Sequence, residues 1–205
     1  MEIALIVLGA IIMAGGFYLL LNKKKPVPVV SQTQPIKHRA KAYQTSNLLA
    51  VNKEKGDAFE HYVAALFDTV SGRYKMKEWR SDKISSTGMY PASNQNPDMQ
   101  FEFRGDQETF SFALECKWRK RFDKGVIEWA HAYQIKNYLA YEKATKIKVF
   151  VVIGVGGTPD KPERMFIAPL QKVALEVFLT EFALKPFERI PTRKFFYRQH
   201  DQTIE

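Results

Sequence analysis

At 205 residues and 45% hydrophobic content, the chain is long enough for one ordinary core and short for two. Its net charge of +9 is loaded at the front: residues 1–55 hold eight of the 31 Lys/Arg and two of the 22 Asp/Glu, leaving 23 against 20 in the remainder. A single cysteine, Cys116, excludes an intrachain disulfide framework and fits a reducing compartment, and the four histidines show no zinc-ligand spacing.

Ile3 to Leu21 is nineteen uncharged residues dense in Ile, Leu, Val, Ala and Gly, close to the about 20 that an apolar helix needs to cross a bilayer. Asn22 and the lysine cluster Lys23–Lys25 follow at once. A cleaved signal peptide would carry its basic residues before a shorter apolar stretch; here the start is acidic (Glu2) and the lysines lie after it. Residues 1–22 are therefore expected to be one transmembrane helix. The positive-inside rule places the N-terminus outside and everything downstream at the cytoplasmic face of the inner membrane. Residues 23–51, with Pro26, Pro28 and Pro35 among Ser, Gln, Thr and Lys, read as a basic extended linker whose lysines lie within reach of anionic lipid.

From residue 52 to 205 the pattern is that of one folded domain. Gly56 to Phe67 is amphipathic, with Phe59, Tyr62, Val63, Leu66 and Phe67 on one helical face. Tyr74 to Trp79 alternates as a strand, residues 80–96 are turn-rich, and Met99 to Phe103 alternates strictly. Gly105-Asp106 marks a hairpin turn, with Phe110 to Trp118 as partner strand. Ile127 to Lys143 is expected to be helical, with Trp129, Tyr133, Ile135, Tyr138 and Leu139 supplying apolar contacts. Val149 to Ile153 is a continuous apolar run suited to a central strand covered on both faces. Met165 to Ala168 follows as a short strand, Val173 to Phe182 as a helix, and Lys194 to Arg198 as an edge strand. The fold class expected is α/β (α+β), a mixed central sheet flanked by helices.

The chemistry gathers between Asn96 and Arg119. Asp98 follows a proline at the start of one strand, and Glu115-Cys116-Lys117 ends the next. In an antiparallel hairpin those two ends lie side by side, so the carboxylates can share a hard cation, with the Cys116 carbonyl as a third oxygen ligand. Lys117 points to the same strand face as Glu115, where an ammonium would orient a water or steady charge developing on a phosphate. Glu-x-Lys alone is most often a charge pair on a strand; the preceding Pro-Asp makes the combination more specific. Glu60 on the first helix, and Gln134 and Tyr138 four residues apart on the later one, are each ordinary in isolation. Lys117, Arg119, Lys120, Arg121 and Lys124 form a basic run around Trp118 and Phe122, the kind of surface a phosphate backbone requires.

Taken in order, Gly56-x-x-x-Glu60, Pro97-Asp98, Glu115-x-Lys117 and Gln134-x-x-x-Tyr138 resemble the successive motifs of the PD-(D/E)XK nucleases, the restriction-endonuclease-like superfamily, in its resolvase-like and Mrr-like branches. The resemblance covers about residues 50–170. It implies an αβββαβ core, dependence on Mg²⁺ or Mn²⁺, and cleavage of double-stranded or branched DNA. It makes Asp98 and Glu115 metal ligands, Lys117 the catalytic lysine and Glu60 an accessory acid. Gln134 and Tyr138 would contact DNA or support the site. Two features depart from that family: no target-recognition domain is visible, and a membrane anchor is unusual. The functional expectation is a membrane-tethered DNA endonuclease acting against foreign DNA, a homodimer supplying the second site for paired cuts. The competing reading is a catalytically inactive nucleic-acid-binding or protein-interaction module on the same anchor.

Overall fold

Six strands make the central sheet, in the order β1-β2-β3-β5-β6-β8, in a computed structural model that describes residues 36–80 and 95–205. The elements are α1 (Ile36–Leu66), β1 (Tyr74–Trp79), β2 (Met99–Arg104), β3 (Thr109–Arg119), β4 (Val126–Glu128), α2 (Ala132–Thr145), β5 (Lys148–Val155), β6 (Arg164–Pro169), α3 (Leu170–Val173), β7 (Phe178–Thr180), α4 (Glu181–Leu184), β8 (Glu188–Arg189), β9 (Tyr197–Arg198) and β10 (Thr203–Ile204). The sheet is mixed: β3 and β5 run parallel, and all its other neighbours are antiparallel. A parallel pair needs a crossover, and α2 supplies it. The fold is mixed α/β, with the expected order αβββαβ interrupted by β4.

Period-two alternation decides which side chain meets which helix. Met99, Phe101 and Phe103 of β2, Phe112 and Leu114 of β3, and Phe150 and Val152 of β5 point toward Phe59, Val63 and Leu66 of α1. Ala113 of β3, Val149, Val151 and Ile153 of β5, and Phe166 and Ala168 of β6 face Ile135, Tyr138 and Tyr141 of α2. β5 is buried on both faces, which explains its unbroken apolar run. Gly154 lets α1 approach this strand: a Cβ there would sit 2.5 Å from the Phe59 ring.

Four expectations are corrected. The segment read as extended linker to residue 51 is helical from Ile36, as the first half of α1. The helix expected over Ile127–Lys143 starts at Ala132; its first residues form β4, which pairs with β7. Trp129 is buried just ahead of the helix, its indole N–H donating to the Glu176 carbonyl at 2.7 Å, and Tyr133 is 62% exposed rather than packed. The helix expected over Val173–Phe182 is two single turns, α3 and α4, separated by β7, because Phe178–Thr180 finds β4 as a partner. Tyr197–Arg198 pairs with Thr203–Ile204 in a separate two-stranded sheet and is not an edge of the central one. The apolar span 1–22 lies outside the described residues. Among the described residues no helix is long and apolar enough to cross a membrane.

Candidate active site

β2 and β3 pair with Met99 opposite Leu114, so Asp98, one residue earlier, comes beside Glu115 across the ladder. Asp98 and Glu115 both belong to the sheet face covered by α2. The contact is pinned by the backbone, since the Cys116 N–H donates to Asp98 Oδ2 at 2.7 Å. Pro97 is buried and contributes no N–H, so the turn into β2 leaves no donor stranded there.

Glu115 is 1% exposed. A carboxylate withdrawn from water is costly unless it is paired, and here one oxygen is doubly held. Oε1 accepts from the Lys117 ammonium and from the Tyr138 hydroxyl, the latter at 2.6 Å. Oε2 is buried and has no hydrogen-bond partner among the described residues. Burial pushes the Asp98 carboxyl well above the usual carboxylate range, and the Glu115 charge adds to that. Burial works against the Lys117 ammonium too, but Glu115 and Asp98 outweigh it and hold the proton more tightly than on a free lysine. Burial, reinforced by Glu115, also raises the Tyr138 hydroxyl and keeps it a donor.

Glu60 reaches the same electrostatic neighbourhood from α1. It is 9% exposed, and its Oε2 accepts from the Trp79 indole N–H at 2.9 Å. Burial raises its carboxyl, with Glu115 contributing. Asp98, Glu115, Lys117 and Glu60 thus act on one another as one interacting group of charges.

The other expected residues divide. Tyr138 is buried and serves Glu115 directly, so it supports the site instead of meeting a ligand. Gln134 accepts from the His131 main-chain N–H at 3.0 Å, which caps α2 at its first turn. Arg119 spends its guanidinium on three carbonyls, those of Trp118, Glu128 and Trp129, at 2.6 to 3.2 Å. It braces the loop beyond β3. Lys120, Arg121 and Lys124 are exposed, as a phosphate-facing surface requires. Lys124 and Gly125 both take positive φ, 50° and 80°, at the tip of a two-residue hairpin turn closed by Asp123 and Val126.

Two residues join the site that the motif reading did not single out. The Arg80 main-chain N–H donates to the Asp98 carbonyl at 2.8 Å, and its Nη1 donates to the Pro97 carbonyl at 2.9 Å. Its guanidinium also lies 5.5 Å from the Tyr141 ring centroid. Arg80 therefore clamps the Pro97–Asp98 turn to both β1 and α2. Trp79 orients Glu60. Neither carries a local signature, because their partners are 17 to 19 residues away.

A divalent cation fits this donor set. The orphaned Glu115 Oε2 and the Asp98 carboxylate beside it are hard oxygens, each with an electrostatic reason to attract positive charge. Two carboxylates plus a main-chain carbonyl suit Mg²⁺, which retains much of its own water. Among the described residues no group of three or more His, Cys, Asp or Glu side chains is placed to hold a metal.

No family model and no curated protein matches the chain. Among solved structures, Archaeoglobus fulgidus Hjc, a Holliday junction resolvase from an archaeal hyperthermophile, is similar with a TM-score of 0.43 and 14% identity, covering 64% of this chain and 93% of that one.

Proposed function

We propose that this chain is a divalent-metal-dependent nuclease that hydrolyses phosphodiester bonds in DNA. The observation that carries the proposal is the Glu115 carboxylate: fully buried, one oxygen fixed by Lys117 and Tyr138, the other free, with Asp98 beside it. A fold that needed only stability would not keep such a group, because a well-packed apolar residue serves as well. Asp98, Glu115 and the Cys116 carbonyl would hold Mg²⁺ or Mn²⁺. When bound, such an ion offsets charge at the attacked phosphorus and lowers the pKa of its water.

The protein's own groups supply the rest. Tyr138 and Lys117 hold Glu115 in one orientation. Lys117 stays protonated and presents positive charge where a phosphate oxygen becomes more negative. Glu60, its carboxyl raised above the usual range by burial, is suited to pass a proton at the edge of the site. Lys120, Arg121 and Lys124 lie on the surface beyond the strand end and would carry the phosphate backbone across it.

The test is cleavage of plasmid, linear and branched DNA by the purified full-length chain with Mg²⁺ or Mn²⁺. Asp98→Ala and Lys117→Ala should each abolish cleavage while DNA binding in EDTA persists. Unchanged cleavage in either variant would sink the assignment. Binding without cleavage under every divalent ion would favour a non-catalytic module instead. The apolar segment 3–21 would tether the domain to the inner membrane, its residues 23–25 on the cytoplasmic side. A nuclease so held would meet DNA as it enters the cell. If a form lacking residues 1–22 protects cells from phage as well as the whole chain does, the tether has no part in that role.

A further inference from the structure

The segment that joins β3 to α2 borders an open cleft of about 430 Å³, lined by Arg119, Arg121, Asp123, Ala130 and His131 together with the side chains of β4. That volume lies within the range of small-molecule clefts, about 300–1,000 Å³. The nuclease reading does not use it. Its position is informative, because the two elements that bound it, β3 and α2, are the ones that carry Glu115, Lys117 and Tyr138. Glu115, Lys117 and Arg119 alternate onto one face of β3, so the cleft opens two residues, roughly 7 Å, beyond Lys117.

Its lining combines both signs of charge with the His131 ring, and Tyr133 lies beside that ring outside the lining. Glu128 and His131 pair at 2.8 Å between Oε1 and Nδ1, and both remain accessible, at 42% and 63% exposure. The Tyr133 ring lies nearly parallel to the His131 ring, 5.8 Å away and at 26°. Tyr133 is 62% exposed, a large aromatic on a helix whose buried face is filled by other residues. Gln134 fixes this corner by holding the His131 main-chain N–H, and Arg119 holds the adjoining Glu128 and Trp129 carbonyls.

We propose that this cleft is a subsite for one unpaired nucleotide of the DNA strand lying across the nuclease site. The base would extend the His131–Tyr133 stack, Glu128 would accept from its ring or exocyclic N–H groups, and Arg121 would meet its phosphate. A paired base shows only its edges in the grooves, so a side chain cannot stack on its face. A base taken out of the helix, or in a single strand, offers that face, and stacking on an aromatic side chain is tolerant of sequence. The substrate class this selects is DNA with a single-stranded or splayed region: a fork, flap, overhang or junction. The inference rests on the nuclease reading for its strand path.

The test uses the full-length chain in EDTA, so that binding is read apart from cleavage. Oligonucleotides carry 2-aminopurine at the unpaired position of a fork or in a blunt duplex. The wild-type chain should bind the fork more tightly and quench the unpaired 2-aminopurine. Tyr133→Ala should weaken fork binding about 5- to 100-fold, the loss expected of one base stack, and narrow the fork-to-duplex affinity ratio. Tyr133→Phe should restore both the affinity and the quenching, and Glu128→Gln should alter which base is preferred. Equal loss on fork and duplex, or an unchanged ratio in Tyr133→Ala, overturns the subsite. Failure of the nuclease reading shows separately, as absent cleavage by the wild-type chain with Mg²⁺ or Mn²⁺ on any of these DNAs.

Discussion

Lys117→Met probes the buried pair while keeping most of the side-chain stem. In the folded chain the Glu115 carboxylate is 1% exposed and Lys117 19%, with the ammonium on Glu115 Oε1. Removing the ammonium leaves a buried charge supported by the Tyr138 hydroxyl alone. Breaking a buried ion pair from one side costs about 3–5 kcal/mol; the partial exposure of Lys117 puts the expectation near 3. Glu115→Gln is milder, about 1–3 kcal/mol, because Asp98 also attracts the lysine. The double variant buries neither charge, so its cost should fall short of the sum by about 1–3 kcal/mol. Urea unfolding in EDTA measures all three, provided the slope stays constant. Single costs that add to the double within about 0.5 kcal/mol would refute the pairing. With EDTA replaced by Mg²⁺ at a hundred times its dissociation constant, the wild type should gain about 2.7 kcal/mol, and Glu115→Gln should be unmoved.

Tyr138→Phe removes a charge-assisted hydrogen bond of 2.6 Å to Glu115; it should cost about 1.5–3 kcal/mol in stability and weaken Mg²⁺ affinity about 10- to 100-fold by titration calorimetry. Arg80→Ala removes the side-chain bond to the Pro97 carbonyl, so Mg²⁺ affinity should fall more than thermal stability does, while Arg80→Lys, which keeps a donor for that carbonyl but loses the planar group over Tyr141, restores only part. Gly154→Ala places a methyl 2.5 Å from Phe59, next to Glu60; overpacking should cost about 1–3 kcal/mol. Two carboxylates should pull the pH profile of Tm in EDTA in opposite directions. Glu188, hydrogen-bonded by Arg164 and Lys185, is held down at about 2 from 4.5; its contribution is present above pH 4.5 and lost as pH falls toward 2, so Glu188→Gln flattens that acid limb. Glu60 is raised above 4.5 by burial; its penalty is absent below 4.5 and grows as pH rises through its folded pKa, so Glu60→Gln gains on the wild type toward neutrality.

The central hairpin was legible because its information is local. Strict alternation in Met99–Phe103 and Phe110–Trp118 assigned faces, and the faces put Asp98 beside Glu115 and Lys117. The short strands were hidden because their cause is not local. Val126–Glu128 and Phe178–Thr180 are strands only through each other, across some fifty residues of sequence. Before that pairing is known, Trp129 and Tyr133 mimic a helical spacing, and Val173 and Val177 do the same. Trp79 and Arg80 act on Glu60 and on the Pro97–Asp98 turn through the fold, with nothing in their neighbourhood to announce it. Gln134 is a different case. His-x-x-Gln at a helix start is a readable capping pattern, and the expectation of a DNA contact obscured it.

The same alternation that places the carboxylates also orders what lies beyond them. Along one face of β3 come Glu115, buried and held; Lys117, buried enough to be paired yet reaching the surface; and Arg119, spent on the carbonyls beside the cleft. The chain then turns at Lys124–Gly125 and returns through β4 to the first turn of α2, where His131 and Tyr133 are exposed and Tyr138, further along, reaches back to Glu115. Residues 115–138 thus link the candidate reaction centre and the candidate nucleotide subsite through a single covalent path. A shift of α2 that moved Tyr133 would also move Tyr138, and with it the Glu115 carboxylate. Occupancy of the cleft should therefore alter metal affinity, and by linkage metal should alter fork affinity by the same factor. In the cleavage-dead Lys117→Ala variant, titrating Mg²⁺ with and without bound fork and titrating fork with and without Mg²⁺ both measure that factor. A factor of one, with Mg²⁺ affinity unchanged by bound fork, would mean that the two sites are not coupled through this path.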